Sequence, residues 1–247
     1  MITQFVELDK DFGSEGRYFN PFGPPMFHFK LSKHVFNLVY KCIKDFQNQT
    51  DFKKDQGQIV QGTLAEENQK NSIVNGEICG IDPQWQFEHH NGILANCVNE
   101  ITYQYASMCL ESQIYDLSSR ESEDIDKTLK QDLKSLKPTI EHIWYVNLKE
   151  GDFHVLHDHN NQKQAIFSGA IYLETPDAPY PQGKINWIVS GNGGGMYNNV
   201  YGIVPKARDV FIWPSWMTHS VYPFRGSGNR LMISFNSACL TKKDNDE

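Results

Sequence analysis

At 247 residues and 28.4 kDa the chain is long enough to bury a full hydrophobic core, as one domain or one large domain with a helical annex. Its 23 basic and 30 acidic residues give a net charge of −7, and no basic stripe interleaves with aromatics, so nucleic acid is not an expected partner. The five cysteines, at 42, 79, 97, 109 and 239, form no CxxC pair, which argues against a disulfide framework or a thiolate metal site.

That cysteine usage suits a reducing compartment, and Met1-Ile2-Thr3-Gln4 leads into acidic residues without a basic-then-apolar leader. No run approaches the roughly 18 apolar residues that a membrane-spanning helix needs. A cytoplasmic protein of a bacterial cell or a phage-infected host is the expectation, with no membrane partner.

Residues 1–30 are rich in Phe, Pro and Gly, and read as an irregular arm over the core that ends in a short edge strand near Met26–Phe29. Ser32 can cap a helix over about 33–47, whose apolar positions Val35, Phe36, Val39, Ile43 and Phe46 recur at three and four. Residues 48–75 are polar and aperiodic, a loop with a short helical turn near Leu64–Asn68, whose length suits either a lid or a poorly ordered segment. Asp82-Pro83 opens a second helical region. Ile93, Leu94, Cys97, Val98, Ile101, Tyr105 and Met108 form its stripe, over about 92–109 with an extension back to 83 that Gly92 interrupts. Pro138 marks the change to strand-like composition.

From Thr139 the pattern alternates, and Lys149-Glu150-Gly151-Asp152 supplies a hairpin turn. Further strands are expected at 153–158, 166–174, 184–190, 208–213, 218–223 and 230–236, with a flexible glycine-rich hairpin at 191–195. Short strands joined by turns rich in Pro, Gly and Asn predict an antiparallel sandwich or jelly roll, with the helices packed outside.

Chemistry concentrates in this part. On an extended strand His157 and His159 leave the same face, and Asp158 the other. A third imidazole, His219, follows 62 residues later, after the apolar stretch Phe211-Ile212-Trp213-Pro214-Ser215-Trp216. Three imidazoles from two segments can hold a first-row metal and leave positions open. His154, three before His157, points away from it on a continuous strand, and a bulge could exchange Asp158 with His159. Arg230 shares a strand face with Met232, Ser234 and Asn236 rather than with carboxylates, so its planar fork calls for an external anion, to which Ser234 could also donate. Tyr145, Asn147, Ser168 and Tyr172 offer polar ends that could line the same cavity. Each of these residues also has a plain structural reading: polar groups at a strand end, a satisfied core histidine, a surface arginine, or packing tyrosines.

Taken together, Trp144-Tyr145-Val146-Asn147, His157-Asp158-His159, Ser168-Gly169-Ala170-Ile171-Tyr172-Leu173, the string 211–224 and Asn229-Arg230-Leu231-Met232-Ile233-Ser234-Phe235-Asn236 resemble the bacterial and phage iron(II)/2-oxoglutarate-dependent oxygenases, over about 139–237. The resemblance implies a mainly β fold with helices, a double-stranded β-helix (jelly roll) flanked by N-terminal helices. It further implies a single oxygenase-like domain over 1–247, in which 1–138 form an N-terminal arm and helical support and 139–237 carry the site.

The implied cofactors are Fe(II) and 2-oxoglutarate. His157 matches the first ligand, His219 the distal histidine and Arg230 the anchor of the far carboxylate, while His159 falls where that family has a carboxylate. The implied activity is hydroxylation of a small-molecule or peptide substrate, with release of succinate and CO2. Two other readings compete. One is a three-histidine, cupin-like metal dioxygenase that does not use 2-oxoglutarate. The other is a non-catalytic jelly-roll module. Exposed edge strands make a homodimer compatible with the pattern.

Overall fold

The structure, a computed structural model, describes residues 3–6, 12–13, 16–19, 26–49, 53–55, 77–118, 131, 134–159, 166–188 and 199–240. The expected hairpin at 191–195, and the expected lid over 48–75 apart from 48–49 and 53–55, lie outside them.

Among the described residues two antiparallel sheets face each other. The strands are β1 (Thr3–Val6), β2 (Gly16–Phe19), β3 (Met26–Lys30), β4 (Lys53–Asp55), β5 (Glu77–Ile81), β6 (Lys137–Leu148), β7 (His154–His157), β8 (Phe167–Glu174), β9 (Ile185–Ile188), β10 (Val200–Ile203), β11 (Asp209–Pro214), β12 (Thr218–Val221) and β13 (Arg230–Leu240). The large sheet runs β1-β2-β3-β11-β8-β13-β6-β5-β4 and the small one β10-β9-β12-β7. This is the jelly-roll architecture expected, with N-terminal helices. One expectation changes: β3 is not an edge strand, because the arm before it folds back as β1 and β2 and pairs outside it.

Helix α1 (Lys33–Gln47) starts where Ser32 Oγ accepts the Val35 N–H at 3.2 Å, and it buries Val39, Cys42, Ile43 and Phe46. Helix α2 (Pro83–Glu88) is capped by Asp82, whose carboxylate accepts the Gln84 N–H. It is followed by a kinked turn at His89–Gly92, where His90, Asn91 and Gly92 take positive φ, and then by α3 (Ile93–Ser118).

The large sheet is apolar on both faces, and this sorts every alternating strand into two layers. Ile143 and Tyr145 of β6, Ile171 and Leu173 of β8, Val210 and Ile212 of β11, and Leu231, Ile233 and Phe235 of β13 pack against the helices. Their neighbours Trp144, Val146, Leu148, Ala170, Tyr172, Phe211, Trp213 and Met232 face the small sheet, where they meet Ile185, Trp187, Met217, Val221 and Phe224. The chemistry-bearing residues lie in this second layer, between the sheets.

Candidate metal centre

Strand β12 pairs with β7 so that His219 lies directly opposite His157. His159 lies just past the end of β7, held there by its N–H donating to the Ser215 carbonyl at 2.9 Å in the turn between β11 and β12. One ligand atom from each of the three imidazoles comes within 4.8 Å of the others. Their ring centroids lie 4.2 Å (157 to 219), 5.2 Å (157 to 159) and 5.3 Å (159 to 219) apart. All three side chains are buried, at 3%, 3% and 6% exposure. Asp158 is not part of this group, so the described arrangement is three histidines rather than two histidines and a carboxylate.

Burial holds the His157, His159 and His219 imidazoles below the usual histidine range, and for His159 and His219 the neighbouring rings push further in the same direction. Neutral imidazoles are what a metal needs. His157 Nδ1 lies 2.8 Å from the Val155 carbonyl and His219 Nδ1 3.1 Å from the Met217 carbonyl. A carbonyl only accepts, so in both rings Nδ1 carries the proton and the Nε2 lone pair is left to bind an ion. The residues present therefore fit a first-row divalent metal. Trp144 and Trp213, with ring centroids 5.7 Å from His159 and 5.1 Å from His219, give the group a dry wall.

Arg230 opens β13 in the same layer and is 1% exposed. Its Nη2 donates to Tyr172 Oη at 2.6 Å, while Nε and Nη1 have no hydrogen-bond partner among the described residues. No carboxylate pairs with it among the described residues. A buried guanidinium with two vacant donors is costly unless an anion joins it.

The other expected site residues separate by sheet face. Ser168 and Tyr172 lie between the sheets, Ser168 donating to Asn236 Oδ1 at 2.8 Å and Tyr172 holding Arg230. Ser234 pairs with Trp144 and Ala170 and shares their face. Tyr145 and Asn147 do not reach the cavity. Tyr145 belongs to the helix-side core, packs against Phe46 and donates its hydroxyl to Glu77, and Asn147 pairs with Leu231 on that same side. Both faces of β6 are buried, so alternation alone did not reveal which one turns toward the imidazoles.

His154 departs from expectation in the opposite sense. Between the pairs His219–His157 and Val221–His154 the register shifts, two residues on β12 spanning three on β7. This bulge turns His154 to the side of His157, with ring centroids 4.0 Å apart. Burial first, then the charges of His157, His159 and Arg230, hold the His154 imidazole far below its ordinary value. His154 thus sits near both the triad and the arginine, and period-two reading gives no sign of it.

Residues 142–236 match the family model described as "Putative 2OG-Fe(II) oxygenase". No curated protein sequence matches the chain. Among solved structures, a prolyl hydroxylase of Trichoplax adhaerens in complex with a hypoxia-inducible-factor peptide is 17% identical, over 94% of this chain and 86% of that one, with a TM-score of 0.48. A prolyl-4-hydroxylase of Pseudomonas putida is 15% identical, over 82% and 84%, with a TM-score of 0.43. An oxidoreductase of the 2OG-Fe(II) oxygenase family from Burkholderia pseudomallei is 14% identical with a TM-score of 0.35, and the match spans 52% of this chain and 55% of that protein's length. Residues 142–236, which carry the clustered imidazoles and the strands around them, are thus similar to the 2OG-Fe(II) oxygenase family, over less than half of the chain.

Proposed function

We propose that this protein is a metal-dependent oxygenase whose ion is held by Nε2 of His157, His159 and His219, with Arg230 receiving the anionic end of an organic acid. The observation that carries the reading is the all-imidazole ligand group. Without a carboxylate ligand the protein contributes no negative charge to the ion, which favours anionic ligands in the open positions. This supports a non-standard, cupin-like centre ahead of the two-histidine, one-carboxylate site on which the usual 2-oxoglutarate mechanism is built. An iron(II) ion held by these residues would supply the redox chemistry.

The chain's own contributions are orientation, charge and exclusion of water. Desolvation keeps the imidazoles neutral, and the Val155 and Met217 carbonyls fix two of them in the ligating tautomer. Tyr172 steers the Arg230 fork, and the indoles of Trp144 and Trp213 close off solvent.

A second reading, in which the acid is 2-oxoglutarate acting as co-substrate, is favoured by one observation: the two unpartnered donors of the buried Arg230 suit a distal carboxylate. The substrate to be hydroxylated is then a separate small molecule or peptide.

Metal analysis of wild type beside His157→Ala and His219→Ala tests the centre: one ion per wild-type chain and loss in both variants is expected, and equal occupancy in all three defeats it. Titrating 2-oxoglutarate into the anaerobic Fe(II) protein separates the two readings. A weak visible charge-transfer band that disappears in Arg230→Met selects the co-substrate reading. Its absence, with O2 uptake driven by another organic acid, selects the cupin-like one.

A further inference from the structure

Two of the three imidazoles are oriented by backbone carbonyls, but the third is not. His159 Nδ1 faces the side-chain amide of Asn236 at 3.3 Å, and the far end of that amide lies 2.8 Å from Ser168 Oγ. The three side chains are 3%, 0% and 2% exposed. Asn236 comes from β13 and Ser168 from β8, paired directly opposite each other in the large sheet, so the group rests on rigid backbone.

An amide offers a donor at one end and an acceptor at the other, and a hydroxyl can do either. The row Ser168–Asn236–His159 therefore has two self-consistent arrangements. In the one drawn by the structure, the Ser168 hydroxyl donates to Oδ1 and Nδ2 donates to His159 Nδ1. The single proton of the neutral ring then sits on Nε2, where it blocks an ion. With the amide turned over, His159 Nδ1–H donates to Oδ1, Nδ2–H donates to Ser168 Oγ, and Nε2 is free. Each arrangement keeps two hydrogen bonds along the row, and the ring proton moves from Nε2 to Nδ1 with no net change of charge.

We infer that Asn236, backed by Ser168, selects the tautomer of His159, so that metal loading and turnover of this amide go together. The two are positioning residues acting through the third ligand, and the inference rests on the three-histidine centre proposed above. It explains how a histidine can serve there: the neighbouring group can either donate to Nδ1 or accept from it, a choice that neither Val155 nor Met217 offers its ring.

Cobalt(II) is the probe, its visible ligand-field bands reporting coordination and a competing chelator the affinity. Asn236→Leu, close in size and unable to hydrogen-bond, is expected to weaken Co(II) binding by about 10- to 100-fold, the usual scale for loss of a ligand's supporting partner. Asn236→Asp, which only accepts, should hold His159 in the ligating tautomer and keep affinity within about threefold of wild type. Long-range 15N–1H correlation spectra of wild type, which need no variant to fold, are expected to show His159 protonated at Nε2 without metal and at Nδ1 with Zn(II). Wild-type affinity in Asn236→Leu, equal losses in the Leu and Asp variants, or an Nε2 proton on His159 in the Zn(II) form would each overturn the selector. Should wild type take up no Co(II) at all, the centre itself fails and the selector with it; uptake by wild type and both variants alike removes the selector alone.

Discussion

His154 and His157 are three apart, and on an unbroken strand they would face opposite sides; a single extra residue on β7 puts them together. Even so, His154 offers no atom to the metal-ligating group, which is formed by His157, His159 and His219. The expected outcome is that His154→Ala retains one equivalent of metal while Ala at 157, 159 or 219 does not. Inductively coupled plasma analysis of the four proteins checks it, and loss of the ion in His154→Ala would mean that a fourth imidazole takes part. Arg230 illustrates the same scale in the other direction. Its position on a polar strand face was legible from period-two alternation, but that two of its donors lack a partner among the described residues is visible only in the fold.

At the scale of elements, the close approach of β8 and β13 depends on one missing side chain. Gly169 pairs with Phe235, and a Cβ at 169 would lie 2.1 Å from Phe235 Cζ. Gly169→Ala must push that ring out of the helix-side core, so we expect a stability loss of about 1–3 kcal/mol, the usual cost of overpacking. Urea denaturation measures it, and an unchanged midpoint would show that the ring moves freely. The neighbouring pair on the same two strands, Ser168 with Asn236, serves the metal ligand, so damage at 169 should also appear as weaker metal binding. Across the sheet, Asp209 ties β11 to β3: it accepts from Lys30 at 2.5 Å, and His28 Nε2 lies 3.2 Å from the same carboxylate. Burial pushes its carboxyl up, but the nearby His28 ring and the hydrogen bonds from Lys30 and the Lys206 N–H outweigh this and hold it below the usual range.

For the whole molecule these groups set two acid limits. The folded pKa values of His157, His159 and His219 lie below the ordinary 6.5, so below that pH the unfolded chain binds protons that the folded chain refuses. Well above pH 6.5 the imidazoles are neutral in both states and do not affect stability; as pH drops below it, the protons that only the unfolded chain takes up make stability fall. Asp209 runs at lower pH: its depressed carboxyl adds stability above the usual carboxylate range, and this is lost as pH falls through its folded value. Denaturant titrations of the metal-free protein at pH 7.5, 6.5 and 5.5 should show a steep loss only across the last interval, made shallower by His219→Gln. A flat profile there would mean that the imidazoles are open to solvent.

Much of this was readable without coordinates. Ser32 and Asp82-Pro83 carry their helix starts in their own capping chemistry, and α1 runs over the residues its three-and-four spacing predicts. Strands β6, β8, β11, β12 and β13 follow from alternation and turn residues, because local backbone preference depends on neighbours in sequence. The spacing of His157, His159 and His219 was enough to suggest a metal group.

What only the tertiary structure decided are matters of pairing between distant segments. The bulge in β7 is a property of its partner β12, and the exclusion of Tyr145 and Asn147 depends on which of two buried faces the helices cover. The row from Ser168 through Asn236 to His159 joins three segments that a sequence leaves apart. Alternation has the same period on either face, so a chain can announce that a strand has two sides, but only the packing of the layers says which side meets the imidazoles.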